Sequence, residues 1–432
     1  MDSVLVDLDE GRRVGSHGYC LSTQWLFLRL VLAGISLRGT ARILAILADA
    51  LGWWDDVPHW TTGRLWLLRL GHAALTVEKE QAADWVWLID HSVQIGQEKC
   101  LAIVGVRLRD LPPPGQCLQQ THLKLISLLP RKSWTREEVD QALETATNET
   151  GVPRAIVDDH GVDIAGGVSF FRQRHAGTAE IYDVKHKAAC LLKGRLEKNP
   201  RWREFQTKLA ATRCAIQQTE LAFLVPPGPK PKARFMNLGP TVQWARKTLA
   251  AVQRPPSVVQ DGVAPERLKE KLGWLEQFAA EIGEWSEWQV VVNVTVGFIN
   301  RQGIFRGVAR KLRREMPRLK HASSRSLAKE LTAFATRQAK QTRIGERLPG
   351  STEVLESLFG RFKQLEKQQS RGGFTTLLPA FGALLAETTT KAIETAMRQS
   401  RTRQIKEWCT EHLGTTLFGQ RKLTYASATK TG

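Results

Sequence analysis

Three acidic residues, Asp90, Asp159 and Glu356, stand in settings suited to divalent-metal chemistry. Asp90 closes the apolar run Trp85-Val86-Trp87-Leu88-Ile89, and Asp159 closes Ala155-Ile156-Val157-Asp158. Glu356 falls within Glu353-Val354-Leu355-Glu356-Ser357-Leu358-Phe359, whose apolar residues recur at helical spacing. A buried strand that ends in a carboxylate lifts the charge out of the core at a sheet edge. Cutting a phosphodiester needs an activated nucleophile and neutralisation of a pentavalent phosphate, which two ions roughly 3.5–4 Å apart supply together. Mg²⁺ or Mn²⁺ in that role takes oxygen ligands. Three carboxylates held close together resist ionisation unless cations accompany them. Side chains alternate along a strand, so only one of Asp158 and Asp159 can face such ions. Glu353 competes with Glu356 for the third place, and Glu356 is favoured because Lys363 follows seven residues later on its helix face.

The chain around these residues is strongly basic. Its 432 residues include 62 Lys or Arg against 43 Asp or Glu, a net charge of +19 that calls for a polyanionic partner, nucleic acid before membrane surface. With 42% hydrophobic residues and 14 Trp it has enough apolar material for two or three domains. The six cysteines include no CxxC pair and no metal-ligand spacing, which argues against a zinc site and for reduced thiols in a cytoplasmic protein. Met1–Glu10 carries four acidic residues and no basic one, unlike a signal peptide, and Trp25–Leu37 is too short to span a bilayer.

Helical spacing predicts three helices over Ser22–Leu75. Ser36 caps the second, and Thr61-Thr62 starts the third, which carries Arg64, Trp66 and Arg69. Helix, short glycine turn, helix is the outline of a helix-turn-helix DNA reader, and the third helix would make the base contacts. From Asp84 the period shortens. Strands are expected at Trp85–Asp90, Lys99–Leu108 and Leu123–Pro130, then a helix opened by the capping box Thr135-x-x-Glu138, then strands at Arg154–Asp159 and Ala179–Val184. That order suits an α/β fold with a ribonuclease-H-like mixed sheet. A mainly helical insertion follows, in which Val290–Val296 reads as either strand or helix. Between Arg301 and Arg347 there are 14 Lys or Arg and three acidic residues, dense enough for a surface that tracks phosphates. The insertion's tryptophans (Trp202, Trp244, Trp274, Trp285, Trp288) read mostly as core. The expected division is a helical DNA-binding segment at 1–80, a first core part at 81–190, a basic insertion at 191–347, a second core part with the Glu helix at 348–400, and a basic tail at 401–432 whose end, Ser427–Gly432, reads as disordered.

Several local blocks make the chain resemble the DDE-type transposases of bacterial insertion sequences. Asp90-His91-Ser92-Val93-Gln94-Ile95-Gly96 with Lys99 is similar to the family's first-Asp block, and Val157-Asp158-Asp159-His160-Gly161-Val162-Asp163 to its second. Tyr182-Asp183-Val184-Lys185-His186-Lys187 resembles a block that follows in some members, and Ser351–Gly360 the Glu block. Leu37-Arg38-Gly39-Thr40-Ala41-Arg42 resembles part of the preceding helix-turn-helix. The resemblance implies catalysis by Asp90, Asp159 (Asp158 the alternative) and Glu356 with two Mg²⁺, or Mn²⁺. It also implies cutting at the terminal inverted repeats of an element, transfer of the 3′-hydroxyl to target DNA, and a homodimer on double-stranded DNA near the nucleoid. Lys363 would contact DNA beside the cut, and Arg38, Arg64, Arg69, His186 and Lys187 would be further DNA contacts. For His186 a purely structural place is an equal reading, and Asp183 reads as an outer carboxylate or an ordinary strand end. Thr352 stands where some members carry Arg, which leaves the subfamily open. A nuclease that cuts without joining and a catalytically dead DNA-binding protein are the alternative readings.

Overall fold

The computed structural model describes residues 18–52, 56–91, 99–228, 235, 238–254, 264–368, 376–413 and 417–428. Along the chain come helices α1 (Leu21–Leu32), α2 (Leu37–Leu51) and α3 (Trp60–Thr76), and strands β1 (Trp85–His91), β2 (Lys99–Arg107) and β3 (Lys124–Arg131). Helix α4 (Arg136–Thr150), β4 (Ala155–Asp158), α5 (Val162–Arg174) and β5 (Ala179–Tyr182) follow. Then come α6 (Val184–Leu196), α7 (Pro200–Ile216), α8 (Leu238–Gln253), α9 (Pro265–Leu272), α10 (Ala279–Gln302), β6 (Ile304–Phe305), α11 (Val308–Glu315), α12 (Ala322–Ala339) and β7 (Arg347–Leu348). The chain ends with α13 (Glu353–Lys367), α14 (Ala380–Ala383), α15 (Thr390–Gln399), α16 (Thr402–Leu413) and α17 (Leu417–Ala428).

The chain packs as two units. One holds Met1–Pro113, Leu118–Glu180 and Thr352–Gly432; the other holds Pro114–Cys117 and Ile181–Ser351. The expected insertion at 191–347 falls inside the second, while the N-terminal helices pack within the first.

The five strands form one mixed sheet in the order β3-β2-β1-β4-β5. Strand β1 lies antiparallel to β2 and parallel to β4, and β2 lies antiparallel to β3. Both sheet faces are covered, which explains why β1 reads as continuous apolar sequence and does not alternate with polar residues. Odd-numbered residues of β1 (Trp85, Trp87, Ile89) join Ile103 and Ile156 against Val139 and Leu143 of α4 and Val168 and Phe171 of α5. Val86 and Leu88 point the other way and are equally buried. Helix α13 packs against β1 and α3 against β3. The capping box of α4 forms, with Thr135 and Glu138 each bonding the other's backbone.

Helix α3 differs from the sequence expectation. It begins at Trp60 with His59 as its N-cap, runs past Gly71 to Thr76, and is buried over most of its length. Helices α1, α2, α14, α15 and α16 all pack against it. The enclosed part of α3 includes Arg69, so the expected DNA contact at that residue is corrected. Only 6% exposed, Arg69 donates from Nε to Ser400 O at 2.6 Å and from Nη2 to Met397 O, at the carboxyl end of α15. A guanidinium on the last carbonyls of a helix is a structural tie, favoured by the helix dipole. His72 adds a bond from its ring to the Ser400 hydroxyl at 2.9 Å.

In the second unit a core of Leu192, Trp202, Phe205, Phe278, Ile282, Trp285, Trp288 and Leu327 joins α6, α7, α10 and α12. Trp202 and Trp285 meet edge-to-face at 4.8 Å, so these rings are packing elements, while Trp244 and Trp274 lie half-buried beside them. Val290–Val296 is helical. Val291, Thr295, Phe298 and Ile299 form a buried stripe of α10, and burial along that stripe outweighs the β-preference of valine. The Ser427–Gly432 tail is helical through Ala428; 429–432, like Ser92–Gly96 and Gly372-Gly373, lie outside the described residues. Among the described residues no helix is long and apolar enough to cross a membrane.

Candidate functional site

Leu88 of β1 pairs with Val157 of β4 in parallel register. Asp90 and Asp159 each stand two residues beyond that pair, at the carboxyl ends of adjacent strands. Alternation gives Asp90 the orientation of Leu88, while Asp159 lies one residue past β4, in the turn that leads into α5. Helix α13 packs on β1, and its buried residues (Leu355, Leu358, Phe359, Phe362, Leu365) take no part in the core beneath α4 and α5. Glu356 lies in its first turn, half-buried, with Oε1 closed off from solvent, whereas Glu353 is exposed. The Asp159 carboxylate accepts the Gly161 N–H at 2.8 Å, which fixes the turn leading into α5.

Asp158 is 0% exposed, its Oδ1 accepts the His160 N–H at 2.7 Å, and its Oδ2 is buried with no hydrogen-bond partner among the described residues. Burial, with Glu180 nearby, pushes its pKa up to about 7. His160 has φ 59°, a left-handed conformation rare outside glycine. Its Nε2 lies 3.0 Å from Glu180 Oε1 and 4.0 Å from Asp158 Oδ1, and the bond to Glu180 raises the imidazole pKa. Arg172 of α5 holds the other Glu180 oxygen at 2.8 Å. One ligand atom from each of Asp158, His160 and Glu180 lies within 4.8 Å of the others, so this cluster could hold a metal ion. Glu180 was not legible as a site residue, because Ala179-Glu180-Ile181 reads as an ordinary alternating edge strand.

A third group lies on the side of α5. His91 shares a 2.9 Å bond with Asp163, and Lys99 approaches the same carboxylate at 3.7 Å. Burial lowers the His91 pKa despite that carboxylate, so the imidazole is neutral near pH 7.

No protein-family model matches this chain. No curated protein matches it either. The site must therefore be argued from its own geometry.

The other expected DNA contacts fall on different elements. Arg38 is exposed on α2, its guanidinium 5.0 Å above the Trp60 ring. Arg64 is half-buried and donates to Thr376 Oγ1 at 2.7 Å. Lys363 is half-buried on α13. His186 and Lys187 belong to the first turn of α6 in the second unit. There Asp183 is the buried N-cap, accepting the His186 N–H at 2.7 Å, and Lys187 Nζ lies 5.9 Å from the Tyr182 ring. Asp183 therefore has a capping task. Arg310, Lys311, Arg313 and Arg314 are exposed on α11, whose buried side is Val308, Ala309 and Leu312.

Near the end of α13 burial pushes Glu366 up to about 7, with Lys363 pulling weakly the other way. A carboxyl raised in the fold costs stability once it ionises. The loss begins near the unfolded value of about 4.5, grows as pH rises, and is complete just above 7. Glu366→Gln is expected to stabilise the protein by about 1–2 kcal/mol at pH 8, after discounting for partial exposure, and to change little at pH 4. Denaturant melts at the two pH values read this out; equal effects at both would remove burial of Glu366 as the cause.

Proposed function

We propose that this chain is a DDE-type DNA transposase with a ribonuclease-H-like core. The observation that supports the reading is the parallel register of β1 and β4, with Asp90 and Asp159 each two residues beyond the Leu88–Val157 pair, together with the contact of α13, which bears Glu356, with β1. The three donors are all oxygen, the type a hard divalent cation such as Mg²⁺ takes, although the acidic group whose ligand atoms lie within 4.8 Å of one another among the described residues is Asp158, His160 and Glu180. Two bound ions would supply Lewis-acid activation of the attacking oxygen and charge neutralisation at the leaving one. The protein's own part is to orient Asp90, Asp159 and Glu356, with Lys363 farther along α13 offered to the DNA strand. The exposed cations of α11 and of α2 supply non-specific affinity for phosphates, and α1–α3 form the helix-turn-helix scaffold, with Arg38 and not Arg69 facing the duplex. The reaction in this reading is hydrolysis at an element end, then attack of the freed 3′-hydroxyl on target DNA, carried out by a dimer that pairs two ends.

The test uses labelled duplexes copied from the flanks of the gene's chromosomal locus, a supercoiled target plasmid, and Mg²⁺ or Mn²⁺. Wild type is expected to give a free 3′-end and covalently joined product, and Glu356→Gln neither. Cleavage without joining would replace the transposase reading with that of a nuclease. If the wild type neither cuts nor joins with either metal, the enzymatic reading is lost and a DNA-binding protein remains.

A further inference from the structure

The proposed cleavage chemistry makes no use of the Asp158, His160 and Glu180 side chains. Their spacing suits a small ion. Donors about 2.0–2.2 Å from a tetrahedral metal are roughly 3.3–3.6 Å from one another. Here His160 Nε2 stands 3.0 Å from one carboxylate oxygen and 4.0 Å from another, so shifts of about half an ångström would complete the geometry. A second observation points to a ligand independently. Asp158 Oδ2 is fully buried with no hydrogen-bond partner among the described residues, a state that native proteins rarely leave uncompensated. A third concerns the backbone. His160 holds a left-handed φ that glycine would adopt without strain, and such conformations persist where the side chain has a task. Arg172 occupies Glu180 Oε2 and leaves Oε1 directed to His160. His160 is 37% exposed, which leaves an entry path and room for water as a further ligand.

We propose that Asp158, His160 Nε2 and Glu180 form a structural divalent-metal site of mixed nitrogen and oxygen character, taking Zn²⁺ in preference to Mg²⁺, that pins the turn between β4 and α5. Imidazole nitrogen with two carboxylates selects a borderline transition ion over the hard ions that all-oxygen sites take. The ion displaces the proton from the imidazole nitrogen to solvent, so binding releases protons and weakens in acid. The site does not depend on the transposase reading.

The experiment strips the full-length protein with chelator and titrates it with Zn²⁺ against a chromogenic competitor, with thermal melts in parallel. Wild type and the double variant Asp90→Asn/Glu356→Gln are both expected to bind one equivalent and to melt higher with Zn²⁺. Glu180→Gln and His160→Gly are expected to lose at least tenfold in affinity and the thermal shift with it. His160→Gly keeps the backbone conformation, since glycine accepts positive φ, so it separates lost ligation from lost folding. Absence of stoichiometric Zn²⁺ in wild type overturns the proposal. So does binding unchanged in both Glu180→Gln and His160→Gly, or binding that disappears in Asp90→Asn/Glu356→Gln, which would place the ion at those residues.

Discussion

Asp159→Asn is expected to lower Mg²⁺-dependent DNA cleavage at least about 10³-fold, while Asp158→Asn keeps activity within about tenfold of wild type. Two neighbours of identical chemistry should differ this much because strand alternation sends them to opposite faces of the sheet. Val157 pairs with Leu88 of β1, and alternation carried one residue past β4 would give Asp159 the side of Asp90. Asp158 shares the orientation of Ile156, whose side chain packs beneath α4 and α5. A carboxylate that ligates a catalytic metal supports the transition state directly, and about 10³ in rate corresponds to roughly 4 kcal/mol. Asparagine keeps the size and most of the hydrogen bonding of aspartate, including acceptance of the Gly161 N–H, so the comparison isolates charge. The readout is single-turnover cleavage of labelled duplex by variants whose melting curves match the wild type. Equal losses at 158 and 159, or the larger loss at 158, would defeat the assignment of faces and with it the proposed catalytic set.

Gly71→Ala is expected to destabilise the protein by about 3 kcal/mol, the upper part of the range for overpacked cores. A Cβ at Gly71 would lie 2.0 Å from the Pro379 carbonyl oxygen, and one at Gly382 would lie 2.2 Å from Gly71 O. Backbone meets backbone at this crossing of α3 and α14, so no side-chain rotation relieves the clash and one helix must move. Gly382→Ala should therefore cost a similar amount. Gly177→Ala serves as the control. Nothing lies within 4 Å of its Cβ position, and a change within about 0.5 kcal/mol is expected. Urea unfolding of the three variants tests this; a Gly71→Ala protein as stable as Gly177→Ala would show that the two helices are not locked at this point.

Much of the site's local setting was legible in the chain. Trp85–Asp90 and Ala155–Asp159 are apolar runs with a charge at the end, and burial on both sheet faces leaves such runs little other conformation. The predicted helix around Glu356 matches Glu353–Lys367, because its apolar spacing and its buried stripe are the same information. The capping box at Thr135 and the cap at Ser36 are local hydrogen bonds that neighbouring residues determine by themselves. Where burial alone decided the outcome, sequence fell short. Val290–Val296 has β-branched composition yet lies in α10, and α3 has the arginines of a DNA reader yet spends Arg69 on the end of α15.

The chain by itself determined that two strand ends and one helix would carry isolated carboxylates, since hydrophobic periodicity and local capping depend only on residues a few positions apart. Tertiary structure decided which of those carboxylates share a face. It brought β4 beside β1 in a register that sequence does not encode locally, gathered Asp158 with His160 and Glu180, and buried the guanidinium of Arg69. Pairing partners in a mixed sheet are chosen by contacts between residues far apart in the chain, so no window of sequence contains them.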